Sequence, residues 1–321
     1  MHRKGYTELV DIGQTECVSN SKRNSLKNFL SLSLCYFLLY TGFWGLTNLQ
    51  STMNAASGIG VSSQAVFYAF AMASSLLLPQ LSIEKCGCKS VLITGSMVCC
   101  LYIVSNIRLR LDTMMISSIV FGLSTGPFIA SQSLYVNEMA KRFHAAVGGK
   151  LENVMALFFG CYAIARSGSQ IMGNVISYLV LRTGQGVVRT QNGSLEHKCG
   201  VNFQIAGAES GASAILDPPS DHERIVLIEV FALMGSIATI LMIFFLDPLP
   251  KTTKKGYGCS VVGQQILAAL QHLRKPHQML LIPMSILIGL EISFYTTEFT
   301  SVSTHLGIMN WKALNTTESS P

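Results

Sequence analysis

Seven apolar runs separated by short polar stretches divide this chain. They cover Phe29–Leu49, Ala65–Ile83, Ser90–Ile107, Thr113–Val136, Val154–Leu181, Ile225–Leu246 and Leu280–Val302. An apolar run of about 20 residues is long enough to cross a bilayer as a helix. In lipid every backbone polar group must be satisfied internally, so the helix is the default spanning element. The expected fold class is therefore all-α, a polytopic transmembrane helical bundle. Residues 1–27 read as a cytoplasmic tail and 28–246 as a six-helix unit, with 182–224 an outer loop inside it. Residues 247–279 read as a cytoplasmic linker, 280–302 as a seventh span and 303–321 as a short outer tail.

Charge sets the expected orientation. With the N-terminus in the cytoplasm, 15 of the 23 Lys and Arg residues fall on inner segments and 7 on outer ones, leaving Arg166 inside a span. That bias follows the tendency of basic residues to stay on the cytoplasmic side. Two glycosylation acceptor patterns, "NGS" at Asn192 and "NTT" at Asn315, both fall on the expected outer side. A multi-pass protein of the plasma membrane is expected, with an endomembrane as the alternative. From the polar start of the chain no cleaved signal peptide is expected.

Composition narrows the chemistry. Only 12% of residues are charged, against about 25% in soluble domains, and 49% are hydrophobic. The net charge of +6 is spread over short loops, so no nucleic-acid partner is expected. Cys35, Cys99, Cys100 and Cys161 lie inside apolar runs, where cysteine is a small packing residue. Cys86 and Cys88 are too few for a zinc site, and Cys199 stands alone in the long outer loop. The sequence has no HExxH, CxxC or GxxxxGK[ST] pattern. Neither an enzyme nor a cofactor is expected, and transport would have to be passive or ion-coupled.

Polar residues within spans cost free energy and need a reason. In the fifth run Arg166, Gln170, Gly173 and Ser177 share one helix face, with Ser169 and Asn174 beside it. Gln132 and Tyr135 share a face of the fourth, and Tyr40, Thr41, Trp44 and Asn48 form a stripe on the first. Glu291 and Glu298 stack two turns apart on the seventh. Arg166 and Glu291 both sit roughly 17–18 Å from the inner end of their spans. Equal depth predicts a pair between them across a central polar cavity, with Glu298, Gln170, Gln132, Tyr135 and Asn174 nearby. Interhelical hydrogen bonding is the competing role for Gln132, Tyr135 and Asn174, and packing or snorkelling is the competing role for Arg166. Gly122 and Gly126 form a GxxxG, for which close helix packing is sufficient.

The loop "LSIEKCGCKSVLITG" carries Glu84, Lys85, Gly87 and Lys89 in an acidic-basic-glycine-basic order. It resembles a degenerate form of the conserved loop of the major facilitator superfamily. "LLYTGFWGLTNLQSTMN", "GPFIASQSLY", "SQIMGNVIS" and "LLIPMSILIGLEISFYTTEFT" occur in that order. Together they resemble the uncoordinated-93 family over about residues 28 to 309, and the long loop is similar to its homolog A branch. Ile129 and Met172 depart from the family pattern, which often has tryptophan there.

The resemblance implies a fold of two six-helix halves, each built from inverted three-helix repeats. Here one half and a single further helix are present, so truncation is expected. It also implies a non-enzymatic regulator or auxiliary subunit of another integral membrane protein, such as a two-pore potassium channel. The alternatives are a transporter of an unknown small-molecule substrate, a trafficking chaperone for membrane receptors, and a fragment without function.

Overall fold

The computed structural model describes residues 2–53, 59–108, 110–184, 221–249, 271 and 273–294. All regular structure among them is helical. The helices are α1 (His2–Met53), α2 (Ile59–Leu77), α3 (Pro79–Cys86), α4 (Cys88–Ser105), α5 (Leu111–Val147), α6 (Leu151–Gly184), α7 (Asp221–Phe245) and α8 (Pro276–Phe294). Six of these are long and apolar enough to cross a membrane: the Asn20–Gln50 part of α1, and α2, α4, α5, α7 and α8. At 34 residues α6 is also long enough, but Arg166 and its polar neighbours dilute its apolar character.

Several boundaries differ from the sequence reading. The second span starts earlier, at Ile59, and stops at Leu77 instead of Ile83. Pro79 ends it, because proline lacks an N–H and fits at the start of a helix, here the short α3. The helix of the fourth span, α5, runs on to Val147, where Gly148 adopts a φ of 80° and terminates it. Polar residues 2–27 continue the helix of the first span, so the expected tail is helical.

The bundle has an approximate internal two-fold relation. Exchanging α1, α2 and α4 with α5, α6 and α7 converts the α2–α5 packing into α6–α1, and α4–α5 into α7–α1. The α1–α5 and α4–α7 packings map onto themselves. Glycines set both close crossings. A Cβ on Gly126 would lie 2.6 Å from Ser75 N, and one on Gly122 would lie 2.7 Å from Phe67 O. On the related side, a Cβ on Gly173 would lie 2.6 Å from Thr41 O and 2.9 Å from Gly45 N. Small residues let membrane helices approach this closely, and packing then replaces the hydrophobic drive that lipid does not provide. Ser74 fastens the first crossing, donating to Gly122 O at 2.9 Å and accepting from Gly126 N at 3.2 Å.

Aromatic rings pack within the bundle interior. Phe43, Phe67, Tyr102 and Phe121 form one cluster, with Phe67 stacked on Phe121 at 5.0 Å. No residue of α8 is buried.

Candidate functional site

Among the described residues, polar side chains of the spans form clusters at three levels of the bundle. At the core of the bundle, Gln132 on α5 is 2% exposed. Its Nε2 donates to Tyr40 Oη at 3.1 Å, and its Oε1 accepts from Tyr162 Oη at 2.6 Å. This amide joins α1, α5 and α6. Tyr36, one turn before Tyr40 on α1, lies 5.7 Å from the Tyr40 ring and 5.8 Å from the Tyr162 ring. Arg166 lies one turn after Tyr162 on α6.

At the end of the bundle expected to be inner, Asp247 follows α7 and clamps three elements. Its Oδ2 accepts from Asn28 Nδ2 at 2.8 Å, its N–H donates to Asn28 Oδ1 at 3.2 Å, and its carbonyl accepts from Tyr135 Oη at 2.9 Å. Lys27 Nζ adds an ion pair at 3.6 Å. The half-exposed ion pair contributes little, whereas the bonds to Asn28 are partly buried. Asp247→Ala is expected to cost about 1–3 kcal/mol and Lys27→Ala less than about 1 kcal/mol, read by thermal unfolding in detergent. Equal losses would contradict that division.

At the end expected to be outer, Gln50 Nε2 donates to Tyr102 Oη and to Asn106 Oδ1, each at 2.9 Å, tying α1 to α4. Gln64 Nε2 donates to Thr47 O at 2.9 Å and ties α2 to α1. Asn48 Nδ2 donates to Asn174 Oδ1 at 2.9 Å between α1 and α6.

The residues singled out in the sequence therefore divide. Gln132 and Asn174 make interhelical hydrogen bonds. Tyr135 is not beside Gln132's partners but in the inner clamp. Gln170 is half-buried on α6. Arg166 and Glu291 do not form the expected pair: among the described residues Arg166 has no ion pair, and Glu291 is exposed on α8. Equal depth fixes height in the membrane but not position around the bundle, and α8 buries none of its residues in it. Glu298, Asn192, Asn315 and Cys199 lie outside the described residues.

In the loop expected on the inner side, Gly87 has a φ of 85°, a conformation that favours glycine, and joins α3 to α4. Glu84 accepts from Gln80, and Lys89 Nζ donates to Ile243 O at 2.8 Å near the end of α7. That places a cation against unsatisfied carbonyls at a helix C-terminus. Lys85 stands in the last turn of α3.

Sequence reasoning passed over Tyr36 and Tyr162, because an aromatic residue in an apolar run reads as packing. The available signal was spacing: each lies four residues before a polar residue already marked, Tyr40 and Arg166.

A family model described as "Ion channel regulatory protein UNC-93" matches residues 51–313. The chain belongs to the UNC-93 family. A relative named "Protein unc-93 homolog A" from Xenopus laevis is 31% identical over 88% of this chain and 62% of its own length. The protein of the same name from Danio rerio is 30% identical over 88% of this chain and 61% of its own. "Putative potassium channel regulatory protein unc-93" of Caenorhabditis elegans is 26% identical over 97% of this chain and 44% of its own length. The UNC-93 chain here thus spans less than two thirds of these relatives. The resemblance drawn from the four sequence stretches agrees with this membership, and the inner-loop residues and the Gln132, Arg166 and Asn174 positions all lie within the matched region.

Proposed function

We propose that this chain is a non-enzymatic regulatory partner of another integral membrane protein, with a potassium channel as the partner class. Family membership over residues 51–313 carries this reading. The geometry supports it in one respect. Gln50, Gln132, Tyr135 and Asn174 have hydrogen-bond partners within the bundle, as a scaffold requires. A transporter needs polar groups that exchange partners during its cycle. Solute transport remains the second reading because Arg166 has no ion pair among the described residues.

A plasma-membrane location, a cytoplasmic N-terminus and a major-facilitator-type half-bundle belong to the same proposal. The two-fold packing relation supports the last. Orientation has its own test: N-glycosidase treatment is expected to increase the gel mobility of the wild-type protein and leave Asn192→Gln unshifted or less shifted. Modification of a sequon engineered into residues 251–255 instead would reverse the orientation.

The functional test is co-purification in mild detergent with two-pore potassium channel subunits, run beside a solute-uptake screen. Recovery of the channel with no uptake above background is expected. Uptake dependent on Arg166, without channel recovery, would replace this reading with transport.

A further inference from the structure

Arg166 belongs to the packed side of α6. Tyr162, Ser169, Gly173 and Ser177 lie on the same stripe at helical spacing, and the last three are buried. Ile164, nearly opposite, is 74% exposed. The Arg166 side chain nevertheless remains exposed, one turn from Tyr162 in the junction of α6, α5 and α1 that Gln132 makes. An arginine at mid-bilayer depth is costly unless something offsets its charge.

The groups beside it offer donors. Arg166 has five N–H groups, and Gln132 has a second amide N–H beyond the one given to Tyr40. Tyr36 is fully buried, and its hydroxyl has no hydrogen-bond partner in bonding geometry, although Gln132 is nearby. A buried hydroxyl without a partner costs free energy and calls for an explanation. No acidic residue forms an ion pair here among the described residues. The cluster is thus one fixed positive charge, spare donors and three phenol rings.

We propose that Tyr36, Tyr40, Gln132, Tyr162 and Arg166 form a carboxylate-binding site at mid-membrane depth. A single guanidinium matches a monoanion in charge and a carboxylate in its planar, two-oxygen geometry. The rings suit an occupant with a flat apolar body. Two sources supply such a carboxylate: a small solute, or the side chain of Glu291 when α8 packs against the bundle.

The test uses the purified full chain in detergent, with benzoate as the probe and benzamide as its neutral counterpart. Binding is followed by calorimetry and by thermal unfolding. Benzoate is expected to bind and stabilise, and benzamide is not. R166Q should lose at least about tenfold in affinity, the size of one charge-assisted hydrogen bond. If a solute is the natural occupant, E291Q leaves the benzoate response unchanged. If Glu291 occupies the site, wild type does not respond and E291Q does.

Two milder variants keep the proposal falsifiable should R166Q not fold. Y36F removes a hydroxyl without a partner, so stability holds or rises while benzoate affinity falls. R166K keeps the charge but loses the planar fork, and it also weakens binding. Unchanged benzoate affinity in both variants would overturn the proposal. So would equal responses to benzoate and benzamide, or no response in either wild type or E291Q.

Discussion

Replacing Gly173 with leucine is expected to prevent the bundle from assembling. Even a Cβ at this position would sit 2.6 Å from Thr41 O and 2.9 Å from Gly45 N. Both neighbours are backbone atoms of α1, so no rotamer change relieves the clash, and the helices must separate. Overpacking of a filled interior costs about 1–3 kcal/mol, and more where the surroundings cannot shift. Gly173→Ala should lie within that range, with leucine beyond it. Size-exclusion profiles and thermal unfolding in detergent read the effect. Gly160 and Gly289 serve as controls, since a Cβ at either meets nothing within 4 Å. Alanine there should be neutral or raise stability by up to about 1 kcal/mol through helix propensity. A Gly173→Ala variant as stable as the controls would contradict the close crossing of α1 and α6.

The second large effect belongs to Gln132. Gln132→Leu removes the acceptor of Tyr162 and both bonds to Tyr40, leaving two phenol hydroxyls without partners in the interior. Each orphaned group costs about 1–3 kcal/mol. A loss of about 2–4 kcal/mol in thermal unfolding is expected. Removing every polar member together avoids that penalty, since an apolar replacement of both partners is nearly neutral. The triple variant Gln132→Leu, Tyr40→Phe, Tyr162→Phe should therefore be more stable than Gln132→Leu alone. If the triple is the weaker of the two, the hydrogen bonds are not what holds α1, α5 and α6 together at this level.

The fold class was legible because lipid leaves so few options: long apolar runs in such a chain form helices. Boundaries were less so. The apolar run that starts near Ala65 continues past Leu77, and only Pro79 marks the break. The helix of the fourth span, α5, extends to Val147 through Asn137, Glu138, Lys141, Arg142 and His144, beyond the reach of an apolar-run criterion. Within the site, Arg166, Gln132 and Asn174 stood out because polar residues in spans are rare. Their partners did not. Gln132 meets Tyr40 and Tyr162 through tyrosine hydroxyls, which an apolar run hides. The pairing of Arg166 with Glu291 rested on depth alone, and depth does not say which way a helix faces. Tyr135 shows the same limit: it shares a face with Gln132, three residues away, yet bonds at the inner end to Asp247.

The inner clamp and the outer amide network hold the bundle at both ends, with Gln132 between them. The proposed role is that of a partner protein that tunes another. Co-expression of this chain with a two-pore potassium channel, with whole-cell current and surface channel number recorded together, measures that role directly. The account predicts a change in current per surface channel relative to the channel expressed alone. Unchanged current per channel with altered surface number would make the chain a trafficking chaperone, and no change in either would contradict the regulatory reading.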